Sequence, residues 1–212
     1  MSYLKATAVV IALASLVGCA TNRSEVEVTG PAPQAGMSGQ GQQVYINAVD
    51  ERVFQIDPPS ADIPSLKNDE EVNDTSVTHR AIGRKRNGFG KGLGDVVLPS
   101  GRTVSQLVGN AVATAYQQAG YQVVTTPTPS AAAVNVHIIE YWSWFSPGAF
   151  TVAVNNKAHL KIETPGAAPL EVITTARDSM QMATDGDWKK INEQGLNTIV
   201  AETGKQLGKA KP

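Results

Sequence analysis

The chain has 212 residues, a formal net charge of −1 and one cysteine, Cys19. A charge so near zero excludes a molecule built as a whole to bind a polyanion such as nucleic acid, and a single thiol excludes an internal disulfide framework. The length suffices for one hydrophobic core and little more.

At the N-terminus, Met1-Ser2-Tyr3-Leu4-Lys5 carries one positive charge and leads into an apolar, alanine-rich run from Ala6 to Val17. A spanning helix needs roughly 20 apolar residues; this shorter run has the length of a secretory hydrophobic region. It ends in Leu16-Val17-Gly18-Cys19, a lipobox. Small residues admit the signal peptidase, and the thiolate is the nucleophile that accepts the lipid. Residues 1–18 are therefore expected to be a signal peptide cut between Gly18 and Cys19, with Cys19 bearing diacylglycerol and palmitate. Each buried methylene contributes about 0.8 kcal/mol, so several acyl chains make a lasting anchor. Residue 20 is Ala rather than Asp, which in enteric-type sorting directs a lipoprotein to the outer membrane. The expected location is the periplasmic face of that membrane.

Residues 19–42 contain Gly30, Gly36, Gly39, Gly41, Pro31 and Pro33 but no aromatic side chain, a composition expected of a flexible lipidated tether. A single periplasmic domain is expected over residues 43–212. Residues 44–54 are rich in β-formers and stop before Pro58-Pro59, which predicts a strand. An irregular acidic stretch follows, then a short strand near 77–82 and a basic, glycine-rich loop over 83–94. The clearest helix opens at Thr103-Val104-Ser105-Gln106, a capping box. Val104, Leu107, Val108, Ala111, Val112, Ala115 and Tyr116 then form one apolar stripe, closed by Gly120.

Beyond it, 121–124 and 134–138 read as strands, and a long alternating strand from Phe150 to Ile162 lies between turns at Ser146-Pro147-Gly148 and Pro165-Gly166. The alternation resumes over 170–182. Asp185-Gly186-Asp187-Trp188 opens a last helix carrying Ile191, Leu196, Ile199, Val200 and Leu207, with a tail expected to fray from 205. The fold class is α+β: a mainly antiparallel sheet with two helices packed on one face.

The lipobox at Cys19, the strand with Ile46-Asn47 and Asp50-Glu51-Arg52, the helix end Ala119-Gly120-Tyr121 and the run Val154-Asn155-Asn156-Lys157-Ala158 together resemble the YajG-type family of bacterial outer-membrane lipoproteins. The resemblance covers most of the mature chain and implies a location and a lipoprotein fold. It carries over no catalytic residue, and the 58–94 excursion has no match in it.

No pattern of residues points to catalysis. His79, His137 and His159 lie on three separate segments without metal-ligand spacing, so no metal or cofactor is expected. There is no G-x-S-x-G motif, and the Gly88–Gly94 run lacks the Ser or Thr that follows Gly-Lys in a phosphate loop. Two groups of side chains are candidates for interaction. Arg84, Lys85, Arg86 and Lys91 could face an anionic lipid or an acidic protein. Tyr141-Trp142-Ser143-Trp144-Phe145 gathers aromatics just before a turn. Alternation sets Trp142 and Trp144 on one face and Tyr141 and Phe145 on the other, so an exposed pair would form a contact patch. The expected function is a non-enzymatic envelope lipoprotein working through contacts with another envelope protein or with itself. The alternative is a ligand-binding or transport-accessory lipoprotein for lipid or glycan, which requires a concave apolar pocket.

Overall fold

The computed structural model describes residues 23–34 and 41–210. The expected signal peptide and Cys19 lie outside the described residues.

Eight strands form one mixed sheet: β1 (Ser24–Glu25), β2 (Gln43–Asp50), β3 (Ala81–Arg86), β4 (Gly92–Val97), β5 (Gln122–Val124), β6 (Ala132–Pro147), β7 (Val152–Glu163) and β8 (Leu170–Met180). Two one-turn helices, α1 (Asp69–Val72) and α2 (Thr75–Thr78), precede β3. The two long helices are α3 (Val104–Gln118) and α4 (Asp185–Ala210).

The strand β6–β7–β8 meander is antiparallel as the alternation requires. The rest corrects the expectation of a mainly antiparallel sheet, because β2 runs parallel to both β5 and β6, β3 runs parallel to β6, and β1 runs parallel to β4. The cause lies in the connections. Between β2 and its neighbours β5 and β6 the chain inserts the 51–80 excursion, the β3–β4 hairpin and α3, the kind of long crossover that parallel neighbours require.

Strand β6 is long enough to have two neighbours along one edge. Its first half pairs with β2 and its second half meets β3, while β7 follows the other edge throughout. A register shift between Ile138 and Glu140 marks the changeover, a bulge of the kind that redirects side chains. Where β2 leaves, Arg52 fills the gap. Its side chain is fully buried; it pairs with both oxygens of Asp50 (2.7 and 2.8 Å) and donates to the carbonyls of Ala81, Tyr141 and Thr78. One guanidinium thus satisfies backbone acceptors left over where one strand pairing stops and another begins.

The main core lies between the sheet and the two long helices. Helix α3 has the expected capping box, with Thr103 accepting from Gln106 N and the Gln106 side chain accepting from Thr103 N, and it ends at Gly120 with φ +92°. It buries Val104, Leu107, Val108, Ala111, Val112, Ala115 and Tyr116 against Val44, Val134, Val136, Ile162 and their neighbours. Helix α4 buries Trp188, Ile191, Leu196, Ile199, Val200 and Leu207 and continues to Ala210 rather than fraying at 205.

The opposite face is covered by the excursion. Leu66, Val77, Ala81, Val97 and Trp142 form a second, smaller cluster joined by Phe54, Val72 and Trp144. The expected strand near 77–82 is instead α2 followed by β3, since Asp74 caps the helix at Ser76 N and carries the chain into a turn.

Residues 23–34, expected as part of a free tether, are packed on the domain. After β1 pairs with β4, Val26 and Val28 are buried in the main core. Thr29 N donates to Glu193 on α4, and Gln34 exchanges hydrogen bonds with Gln117 on α3. The segment is a strap across both long helices. The alternation of Val26 and Val28 with Glu25 and Glu27 supplies enough apolar surface to hold it down despite its glycine and prolines.

Candidate functional site

The candidate basic residues sit on a hairpin, not in a loop. Strands β3 and β4 pair from Ala81↔Val97 to Arg86↔Gly92. The turn at 87–91 is built by the Asn87 side chain, which accepts from Phe89 N and Lys91 N, and by Gly90 at φ +83°. Because strand residues alternate, the four cations do not share one surface.

Arg84 is buried on the excursion side, 3.7 Å from the buried Asp95. Arg23 bridges Asp95 (3.2 Å) and Glu71 (2.9 Å). Burial raises the Asp95 pKa against the pull of Arg84, and the nearby Glu71 charge adds to the rise. This cluster ties strap, excursion and hairpin together and holds no site open to solvent. Arg86 is half-buried and donates to Gly90 O and Ser65 Oγ. Lys85, on the helix side, pairs with Asp185 at 3.1 Å. Lys91 alone of the four is exposed. The expected common cationic patch is corrected: strand geometry spends Arg84 and Arg86 inward on one face and Lys85 on the other.

The aromatic alternation is as expected, since Tyr141 and Phe145 join the main core and Trp142 and Trp144 the smaller cluster. The exposed pair is corrected. Trp142 is 0% exposed, edge-on to Phe54 with centroids 5.9 Å apart, and donates to Ala61 O. Trp144 is half-buried beside it. The excursion that the sequence left without a role is what covers them.

The buried polar group Ser143, Asn156 and Asn192 lies between β6, β7 and α4, with the Tyr141 hydroxyl donating to Asn192 O. All four side chains are 0% exposed, so no substrate reaches them. His137 and His159 each pair with a surface glutamate, Glu51 and Glu171. Among the described residues, no three His, Cys, Asp or Glu side chains converge to hold a metal ion.

A concave apolar surface lies at the end of the sheet where the β3–β4 hairpin, the β6–β7 turn and the β8–α4 connection meet. A cleft of about 510 Å³ opens there, lined by Leu93, Phe145, Val152, Met182, Ala183 and Trp188. Its volume falls within the usual range for small-molecule sites, roughly 300–1,000 Å³. Lys85, paired with Asp185, and Arg86, which donates to Ser65 Oγ, stand at its rim, one cation in excess of the carboxylate, and its walls are apolar. The strap begins beside it: Ser24 Oγ donates to Asp185 at 3.1 Å. A second hollow of about 330 Å³ lies between α3 and the β2–β5 edge with a more polar lining. The residues of the first cleft were not singled out in the sequence, because they come from four separated segments and carry no motif.

Among the described residues, no helix is long and apolar enough to cross a membrane. No protein-family model matches the chain, and no curated protein matches it. Among solved structures the chain is similar to a Xanthomonas campestris protein of the DUF330 family, at 10% identity over 88% of this chain and 99% of that one, with a TM-score of 0.47. It is also similar to a minor lipoprotein from Acinetobacter baumannii, at 12% identity over 50% of this chain and 87% of that one (TM-score 0.36). A third similarity is to a neuraminyllactose-binding hemagglutinin homolog from Helicobacter pylori, at 12% identity over 84% of this chain and 92% of that one (TM-score 0.31).

Proposed function

We propose that the chain is a non-enzymatic lipoprotein of the YajG type, anchored through Cys19 to the periplasmic face of the outer membrane, and that it holds the acyl chain of a lipid in the cleft beside Trp188. The observation that carries this reading is the position of the cleft. It is apolar, it opens at one end of the sheet, and the segment that follows Cys19 is fastened to its rim through Ser24 and Asp185. With Lys85 paired to Asp185 and Arg86 turned to Ser65, selection falls to the apolar walls, which favour a hydrocarbon chain over a free anionic head group. This favours the ligand-handling alternative over contacts made by tryptophans, because Trp142 is buried.

Trp188 is the reporter. The full-length protein in detergent micelles would be titrated with phospholipid brominated along its acyl chains, which quenches tryptophan on contact. Fluorescence should fall saturably, and most of the fall should vanish in Trp188→Phe. Quenching that is absent, or unchanged in Trp188→Phe, would refute an acyl chain in this cleft.

A further inference from the structure

The most exposed phenylalanines of the fold sit in the two turns whose flanking strands line this cleft. Phe89, at the tip of the β3–β4 hairpin, is 98% exposed, and Phe150, in the β6–β7 turn, is 91% exposed. Met182, just beyond β8, is 74% exposed and lines the cleft itself. Strand register brings them to one end. Trp144 pairs with Arg84, so the parallel strands β3 and β6 finish together, and Val152 pairs with Met180, so β7 starts where β8 finishes. Three separate turns therefore each project a large apolar side chain from the same edge of the molecule. None of the three supports the core, and water-exposed apolar tips of this kind mark an interaction surface.

The same end is where the chain enters the fold. Strand β1 is parallel to β4, with Ser24 beside Val96, so Arg23, which pairs with Asp95, lies toward the Gly92 side, the side of the hairpin tip. Cys19 precedes Ser24 by five residues, which at ~3.5 Å per residue limits their separation to about 18 Å. A tether counted from 19 to 42 would have let the domain stand off and turn freely. The strap at 23–34 removes most of that length and keeps the anchor within about 18 Å of Ser24.

We propose that this end of the domain lies on the phospholipid bilayer that holds Cys19, with Phe89, Phe150 and Met182 inserted among the lipids and the cleft opening directly to them. The inference rests on the Cys19 anchor of the reading above. Insertion need not be strong by itself. Once the anchor holds the domain within a short reach, insertion becomes an intramolecular step favoured by a high effective concentration, and two membrane signals together hold where one binds only reversibly. Lys91, exposed in the hairpin turn, sits at the level where a cation meets phosphate. Docking in this orientation would let an acyl chain pass between bilayer and cleft without crossing water.

Because Cys19 is the only cysteine of the chain, a second one can be labelled specifically once the first is lipidated. The full-length protein carrying Phe89→Cys, Phe150→Cys or, as a control, Ile173→Cys would be labelled with an environment-sensitive fluorophore. It would then be reconstituted into phosphatidylethanolamine–phosphatidylglycerol vesicles containing doxyl-labelled lipid. Ile173 is 63% exposed in mid-strand β8, away from this end. Labels at 89 and 150 should be blue-shifted and quenched at least about threefold more than the label at 173. Equal quenching at all three positions, in protein that still sediments with the vesicles, would overturn the docked orientation and leave the anchor standing. Protein that fails to sediment would overturn the anchor and the orientation together. Loss of Trp188 quenching with deep labels at 89 and 150 would overturn only the occupied cleft.

Discussion

The two faces of the sheet are covered by different means. On one face, α3 and α4 bring continuous apolar stripes to the strands, and the cover is held by packing: Leu107, Val108, Val112, Ile191, Leu196 and Ile199 are all essentially buried. On the other, residues 51–80 contribute few large apolar side chains, and the cover is held by polar attachment at particular points. Arg52 reaches three carbonyls across the junction of two strand pairings, and Lys157 on β7 binds Asp62 at 3.1 Å and Glu140 at 2.9 Å. A packed cover announces itself by periodicity; a stitched one does not. The contrast also predicts unequal failures, local and severe where a stitch is cut, graded where packing is thinned.

The largest effect should come from Arg52→Ala. It leaves Asp50 without its partner and three backbone acceptors without donors, all in buried surroundings, a loss of about 3–5 kcal/mol. Chemical denaturation would measure it. A loss below about 1 kcal/mol would mean the excursion does not depend on this residue. Lys does not rescue a site that uses the planar guanidinium in several directions at once, so Arg52→Lys should remain well below the parent.

Val28→Ser should cost less, about 2–3 kcal/mol, from lost burial and a hydroxyl placed where Val28 is 0% exposed. It tests whether the strap belongs to the helix-side core. The same change at exposed Val53, 75% accessible, should be nearly neutral, and equal costs would refute the strap's burial.

The smallest effect should be an acid-sensitive loosening of the stitched face. The Ser60 hydroxyl holds the Asp62 pKa below its ordinary 3.8 against partial burial, with Lys157 adding to the depression. Lys157 is raised by Glu140 and Asp62 despite the opposing cost of burial. A carboxylate depressed in the folded state stabilises it at neutral pH, and that contribution fades as pH falls through the folded value, below 3.8. Protease nicking within residues 55–65 should rise on acidification below pH 4, and Asp62→Asn should show the raised level already at neutral pH. A flat pH response in the parent would contradict the attachment.

The helix-side core was legible wherever one face repeats: the α3 stripe and the Trp188–Leu207 run occupy their expected places, and so does the long alternating strand, except that Phe150 falls in the turn before it. Strand direction was not legible, because whether β2 runs parallel to β6 depends on crossovers that leave no mark in either strand. The strap was hidden by its composition. Val26 and Val28 alternate over too few residues to outweigh the neighbouring Gly30, Pro31 and Pro33, and only the groove between the helices makes their burial possible. The cluster of cations in sequence failed as a site for the opposite reason, since three adjacent residues on a strand cannot face one partner. The cleft was invisible because Leu93, Phe145, Met182 and Trp188 converge only when four segments end together.

Whether the cleft holds lipid decides between a ligand-handling lipoprotein and one that works through protein contacts. Native mass spectrometry of the full-length protein released gently from its membrane would test this most directly, with Ala183→Trp, placed on the cleft wall, as the filled-cleft control checked for an unchanged circular dichroism spectrum. The expected result is a parent carrying one phospholipid mass beyond its covalent anchor and an Ala183→Trp protein without it. A parent with no added mass, or a lipid retained equally by both, would contradict the cleft as a binding site.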